Sequence, residues 1–239
     1  MAVVCSIVSL VSFPIHHRNS FLSLSCIHQF LYTLEYSSVY HYRTAKAALR
    51  NSIKIALKQL KCQDRSTQSL EVTKKLLAHP KYLSSKGVAV FLSMKDEVDT
   101  EGIVRNIFDS GKHCYIPRYR ETDGYMTMIK MNSYDELENL PRTRWNIPQP
   151  SEKDLRVDVF QSGDLDLILT PGLAFTKQGH RLGRGKGFYD KFITAYNCLH
   201  KPPYLIGLAL SYSIVDHIPC TLTDVQMDEV LYGNRQTSE

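Results

Sequence analysis

The chain has 239 residues, 43% apolar and 22% charged, with a formal net charge of +5. That is enough chain to bury a core without metal or disulfide staples, so the small stapled classes are excluded. The charge suits anionic ligands but falls short of the dense basic stripe of a dedicated nucleic-acid binder.

Residues 1–42 differ from the rest: they are rich in Ser, His and aromatics, with Arg18 the only Lys or Arg and Glu35 the only acid. The apolar run Val3 to Phe13 lacks a preceding basic region, which weakens a secretory reading. A transit peptide fits the Ser content but wants more Arg. The expectation is a poorly ordered or targeting extension followed by one folded domain over 43–239. No apolar run approaches the roughly 20 residues needed to span a bilayer, so no membrane partner is expected. The cysteines, at 5, 26, 62, 114, 198 and 220, are too scattered for a CxxC or zinc pattern and read as reduced thiols.

From Thr44 the pattern becomes regular. Leu49, Ile53, Leu57 and Leu60 follow helical spacing, with Lys46, Arg50, Lys54 and Lys58 among them. A second helix is predicted from Ser66 to His79, stopped by Pro80, completing an N-terminal helical hairpin. Gly87–Leu92 is short, apolar and rich in β-branched residues, as in a buried strand. Thr100 to Ser110 reads as a helix with Thr100 as N-cap and Gly111 just past its end. Strands are predicted at His113–Pro117 and Tyr125–Met131, then a brief helix opened by the capping box Ser133-Tyr-Asp-Glu136. Trp145–Pro150 is a Pro-rich loop. Asp164–Thr170 is a buried strand, Phe188 to about Cys198 a helix, Tyr204–Leu210 a strand and Glu229–Tyr232 a last short strand. Strands alternating with helices predict a three-layer α/β/α domain around a mostly parallel sheet.

The chemistry concentrates in Arg181-Leu-Gly-Arg-Gly-Lys-Gly-Phe-Tyr-Asp190, which follows a strand and opens a helix. That arrangement aims backbone N–H groups and a helix N-terminus at an anion. Gly183, Gly185 and Gly187 permit close approach, and Arg181, Arg184 and Lys186 supply charge. Asp190, in the first turn of the helix, is an exposed carboxylate suited to Mg²⁺ on a triphosphate. The spacing is neither a P-loop, since Gly187 follows Lys186, nor a dinucleotide fingerprint, since the glycines fall at every second position. Spacing alone therefore says anion site, and an RNA-contacting Arg/Gly segment stays open.

These residues, preceded by Pro171-Gly-Leu-Ala-Phe175, resemble the signature of the 5-formyltetrahydrofolate cyclo-ligases, also called methenyltetrahydrofolate synthetases. The resemblance extends to Phe91–Glu97, Tyr115–Arg120, Trp145–Pro150 and Met227–Tyr232, and the animal members are the most similar. It covers Thr44 to Tyr232 and leaves out the first 42 residues.

The resemblance implies a fold similar to the sugar-phosphate isomerases and CoA transferases, acting on small molecules, as a monomer, without nucleic acid. The implied reaction takes 5-formyltetrahydrofolate and ATP, with Mg²⁺, to 5,10-methenyltetrahydrofolate, ADP and phosphate. The resemblance assigns ATP contacts to Lys46 and Arg50, one face of the first helix, and to Arg181, Leu182, Gly183, Arg184, Gly185, Lys186, Gly187, Phe188 and Tyr189. Lys186 and Arg184 are the implied catalytic pair, and Arg184 to Phe188 also approach the formyl group. Leu92 and Glu97 are implied folate contacts, Tyr119 and Trp145 pocket-lining rings, and Asp190 and Asp224 magnesium ligands. Phe188 stands where many members have Tyr, which removes one hydroxyl. The implied location is cytoplasmic, or mitochondrial if residues 1–42 act as a transit peptide. The other readings are an RNA-associated module and a folate-binding relative without activity.

Overall fold

A computed structural model describes the backbone of residues 24–58, 62–120 and 122–234, with side chains from residue 41 onward. By internal contacts the chain divides into Met1–Tyr40 and His41–Glu239, and the second unit holds the sheet. Val3–Phe13, Arg18, Glu35 and Leu60, read above, lie outside the residues or side chains described. Helix α1 runs Leu24–Lys58, well ahead of the expected start near Thr44. Among the described residues no helix is long and apolar enough to cross a membrane.

Helices α2 (Cys62–Leu77) and α3 (Pro80–Ser84) follow, then β1 (Gly87–Ala89), α4 (Glu101–Asp109), β2 (His113–Arg120) and β3 (Tyr125–Met131). The rest of the chain adds α5 (Asp135–Glu138), α6 (Val159–Ser162), β4 (Leu167–Thr170), β5 (Ala174–Phe175), β6 (Arg181–Leu182), α7 (Phe188–Leu199), β7 (Tyr204–Ala209) and β8 (Glu229–Tyr232). Six strands form one sheet in the order β3-β2-β1-β4-β7-β8. Every pairing is parallel except β2 with β3. This is the mostly parallel α/β sheet that the alternation predicts.

The period of two along the central strands separates two cores. Val88, Cys114, Ile116, Leu167, Leu169, Ile206 and Leu208 face one side, where Ile53 and Leu57 of α1, Val72 and Leu76 of α2 and Ile103 and Ile107 of α4 cover them. Ala89, Tyr115, Ile168 and Leu205 face the other, covered by Val159 of α6 and by Phe192, Ile193 and Tyr196 of α7. Each helix thus spends an i, i+3/i+4 stripe on the sheet, and each fully buried large side chain contributes about 1.5–3 kcal/mol of transfer free energy. With helices on both faces, the sheet offers no open aromatic platform of the kind single-stranded RNA stacks on.

Several boundaries and caps differ from expectation. The ladder of β1 stops at Ala89, and the chain then leaves the sheet toward the loop at 92–99. Thr100 precedes α4, but its hydroxyl makes no cap bond and instead donates to the Phe91 carbonyl at 2.7 Å, closing that loop. The Ser133 box forms only by half: Ser133 Oγ accepts the Glu136 N–H, while the Glu136 carboxylate turns to the Asn132 N–H. A complete capping box occurs instead at Asp158 and Gln161, opening α6. The antiparallel pair β5–β6 was not expected, because its strands are only two residues long. Phe175 anchors it over the sheet against Gly207, where a Cβ would come within 2.5 Å of the ring.

Candidate functional site

The strand order reverses between β1 and β4: from β1 the chain moves to β2, and from β4 to β7 and β8. In parallel α/β sheets the loops leaving the carboxyl ends of two such strands separate and form a crevice. Here the loop after β1 carries Glu97, and the β5–β6 hairpin after β4 leads into the glycine-rich run.

Within that run two glycines have left-handed backbone, Gly185 (φ +105°) and Gly187 (φ +69°). Gly187 is the N-cap of α7, and no side chain caps the helix. The first N–H groups of a 12-residue helix are therefore free for an anion. Lys186 is exposed and forms no ion pair with the described residues, so its charge is available to a ligand. Phe188 packs beside Tyr119, ring centroids 5.0 Å apart. Tyr189 is buried in that same core beneath α7, its hydroxyl beside Tyr119. Leu182 is buried in the opposite core. Both anchor the loop through their burial.

Arg181 is almost fully buried. Its guanidinium lies 2.9 Å from Asp190 and 5.5 Å from the centre of the Tyr189 ring, and its Nε has no partner. Asp190 also accepts the Val225 N–H at 3.1 Å. The sequence reading of Asp190 as an exposed carboxylate is therefore corrected: it is half-buried and already paired, because β6 places Arg181 under the first turn of α7.

Helix α1 delivers Lys46 and Arg50 from the side. Lys46 Nζ is 2.6 Å from both carboxylate oxygens of Asp224. Arg50 Nε donates to the Gly183 carbonyl at 2.9 Å, and its guanidinium faces Gly185. Asp224 also accepts from the Thr221 N–H and hydroxyl. Burial alone would raise its pKa, but Lys46 and Thr221 outweigh that and hold it below the usual carboxylate value. A cavity of about 290 Å³ opens here, lined by His180, Arg181, Thr221, Asp224 and Val225 among others.

No group of three or more His, Cys, Asp or Glu among the described residues could hold a metal. Asp224 and Val225 line this cavity and Asp190 accepts the Val225 N–H, so a Mg²⁺ arriving with phosphate oxygens would have to draw these two carboxylates from Lys46 and Arg181. Arg181 lines this cavity, but its Nε is buried and has no partner among the described residues.

Across the crevice, Arg184 reaches Asp96 at 2.6 Å and Glu97 at 3.0 Å. Glu97 is buried, and its other oxygen accepts the Met94 N–H at 2.9 Å. Burial raises the Glu97 pKa, and Arg184 opposes the rise without cancelling it. Leu92 packs at the edge of the core beside this loop. Tyr119 is joined to the Pro-rich loop by Gln149, whose amide bonds both the N–H and the C=O of Tyr119 at 3.0 and 2.9 Å. Trp145 is exposed on that loop, its ring 4.3 Å from the Arg144 guanidinium.

The structure thus gathers Lys46, Arg50, Arg181–Gly187, Asp190 and Asp224 on one side and Glu97 opposite, bridged by Arg184. It records no contact of Trp145 with this group. Asp96 and Gln149 lie within runs that carry the resemblance but have no role assigned from it, and Arg65 lies outside all of those runs.

Fold and site define an α/β protein with a cationic, glycine-rich loop at its topological switch point, facing a buried carboxylate. Residues 42–233 match the profile of the 5-formyltetrahydrofolate cyclo-ligase family, and the chain belongs to that family. It is 44% identical over 198 residues to the 5-formyltetrahydrofolate cyclo-ligase of Mus musculus, covering 82% of this chain and 97% of the mouse protein. It is 31% identical to a 5-formyltetrahydrofolate cyclo-ligase of Arabidopsis thaliana described as mitochondrial, covering 78% of this chain and 73% of that one. A solved structure of Aquifex aeolicus 5,10-methenyltetrahydrofolate synthetase superimposes with a TM-score of 0.63 at 25% identity, covering 81% of this chain and 96% of that one.

Proposed function

We propose that this member of the family converts 5-formyltetrahydrofolate and Mg-ATP into 5,10-methenyltetrahydrofolate, ADP and phosphate. The observation that carries the reading is the Arg184–Glu97 bridge, which sets an anion cradle and a buried hydrogen-bond acceptor on opposite walls of one crevice. A pterin presents N–H donors that a buried carboxylate accepts, and a triphosphate suits free helix N–H groups with Lys186 and Arg181.

The chemistry needs positioning and charge neutralisation rather than a protein nucleophile. The formyl oxygen attacks the γ-phosphorus and ADP leaves. N10 then attacks the formyl carbon, the C–O bond breaks, and the oxygen departs with phosphate as the ring closes and N10 loses its proton. Lys186 and the α7 N-terminus hold the transferring phosphoryl group, Arg184 stabilises the negative charge that returns to the former formyl oxygen as it leaves with phosphate, and Glu97 orients the folate. Mg²⁺ would neutralise the triphosphate, with Asp190 and Asp224 exchanging Arg181 and Lys46 for the ion when it enters with the nucleotide. Tyr119 and Phe188 form the apolar wall beside the reacting group, and Lys46 and Arg50 secure the nucleotide from α1.

Purified protein given 5-formyltetrahydrofolate and Mg-ATP should develop the methenyl chromophore and release ADP in step. Neither product appearing would overturn the reading, and folate binding without turnover would leave the inactive-relative alternative in its place.

The reading extends to a monomer in the cytoplasm. A full-length tagged protein and a shorter one starting near Thr44 should show the same cytosolic pattern. A mitochondrial pattern confined to the longer one would assign residues 1–42 a targeting role.

A further inference from the structure

Glu97 lies on a loop, yet a carboxylate that orients a substrate has to be held within a fraction of an ångström. The sequence supplies no rigid element around it. The structure does, from α2. Arg65 and Ser69 stand one turn apart on the face of α2 that meets the loop. Arg65 Nε donates to the Glu97 carbonyl at 2.8 Å, and Nη2 to the Met94 carbonyl at 3.3 Å. The same Nη2 lies 3.9 Å from the Asp99 carboxylate. Ser69 Oγ accepts the Asp99 N–H at 2.9 Å.

These bonds reinforce from α2 a turn that is closed by its own hydrogen bonds and met from across the crevice by Arg184. The Glu97 N–H donates to the Met94 carbonyl at 3.1 Å, and the Met94 N–H donates to the Glu97 carboxylate at 2.9 Å. The guanidinium spans the two ends of that turn, as its planar fork allows and an ammonium does not. Half-buried, it has little freedom to exchange these carbonyls for water.

We propose that Arg65 is a positioning residue for the folate side of the reaction: it fixes the Met94–Glu97 turn so that the Glu97 carboxylate meets the pterin. Arg65 does not touch substrate. The inference rests on the reading of Glu97 as a folate contact. The nucleotide side is held by other elements, α1 and the N-terminus of α7, so loss of Arg65 acts unequally on the two substrates.

The test is steady-state kinetics of Arg65→Ala, Arg65→Lys and Glu97→Gln, with KM for 5-formyltetrahydrofolate and for ATP measured separately on the full chain. Arg65→Ala should raise the folate KM roughly tenfold, as for one charge-assisted bond, with the ATP KM unchanged within about twofold. Arg65→Lys, which keeps the charge and one bond, should fall between wild type and Ala. Equal rises in both KM values, or lowered thermal stability with no KM split, would overturn the proposal. If Arg65→Ala fails to fold, Arg65→Lys decides, and a wild-type folate KM in that variant overturns it. Glu97→Gln separates the two claims. If it leaves the folate KM unaltered, the reading of Glu97 is wrong. If it raises that KM while Arg65→Ala does not, only the role of Arg65 falls.

Discussion

Arg184 and Glu97, 87 residues apart in sequence, meet at 3.0 Å across the point where the strand order reverses. The contact joins the two halves of the site, and it sits where a lone charge is costly. Removing Arg184 leaves a buried carboxylate without its partner, a loss of about 3 kcal/mol, or roughly 6–12 °C in Tm for a domain of this size. Arg184→Met should show that drop together with loss of turnover. The double variant Arg184→Met/Glu97→Met should recover most of the Tm and none of the activity, since an apolar pair replaces the ion pair without its chemistry. Thermal melts beside the chromophore assay separate the two effects.

Burial lifts the Glu97 pKa above the usual carboxylate value, so its ionised form is lost earlier as pH falls. The acid limb of kcat/KM for the folate substrate should therefore lie above the ordinary carboxylate range. In Glu97→Gln that limb should disappear, leaving a lower but flatter profile. An unchanged limb would assign it to another group.

Gly185 has φ +105°, and a Cβ there would lie 3.5 Å from the Arg50 guanidinium. Gly185→Ala should cost about 1–3 kcal/mol of backbone strain and deform the anion cradle. The ATP KM should rise about tenfold or more, as for a loss of about 1.4 kcal/mol. Gly111→Ala is the control: its φ is +69° with nothing within 4 Å of the added Cβ, so it should lose stability while keeping a normal ATP KM.

Asp224 is held by Lys46 at 2.6 Å and by Thr221. If it helps carry Mg²⁺ with the nucleotide, Asp224→Asn should raise the Mg²⁺ concentration for half-maximal activity on the order of tenfold, as loss of a charged ligand does. The folate KM should stay near wild type. A titration of activity against Mg²⁺ at saturating ATP checks it.

At the opposite end of the sheet Asp164 accepts hydrogen bonds from Ser162, Tyr115 and His113. Burial would raise its pKa, but these bonds outweigh it and bring the pKa down to about 2. A depressed carboxylate pKa stabilises the fold above the unfolded value, and that share is lost as pH falls through the folded one. After discounting for its exposure the contribution is about 1 kcal/mol. Asp164→Asn should lower Tm at neutral pH, and the difference from wild type should vanish near pH 2. A constant difference down to that pH would place the effect elsewhere.

The sheet was legible because its strands are buried on both faces and so read as short apolar runs, such as Leu167–Thr170 and Tyr204–Ala209. The glycine-rich loop was legible because backbone approach to an anion demands glycine at fixed places. The partners of its charges were not. Arg181–Asp190 and Lys46–Asp224 are settled by how β6 and α1 lie against α7 and the 220–226 segment, and charge alone does not reveal such pairings. Asp190 therefore read as exposed when it is bound. Thr100 read as an N-cap from its position, yet its hydroxyl finds a better acceptor in the Phe91 carbonyl of the folded loop. Arg65 stood in an ordinary polar helix face, and only the arrival of the 94–99 loop gives it a role.

If the glycine-rich loop brings a phosphoryl group to the formyl oxygen, that oxygen leaves with phosphate. The most direct measurement follows that atom. With 5-formyltetrahydrofolate labelled with oxygen-18 in the formyl group, unlabelled Mg-ATP and unlabelled water, the inorganic phosphate released in one turnover is analysed by mass spectrometry. One labelled oxygen is expected in each phosphate. Label recovered in water, with none in phosphate, would contradict it.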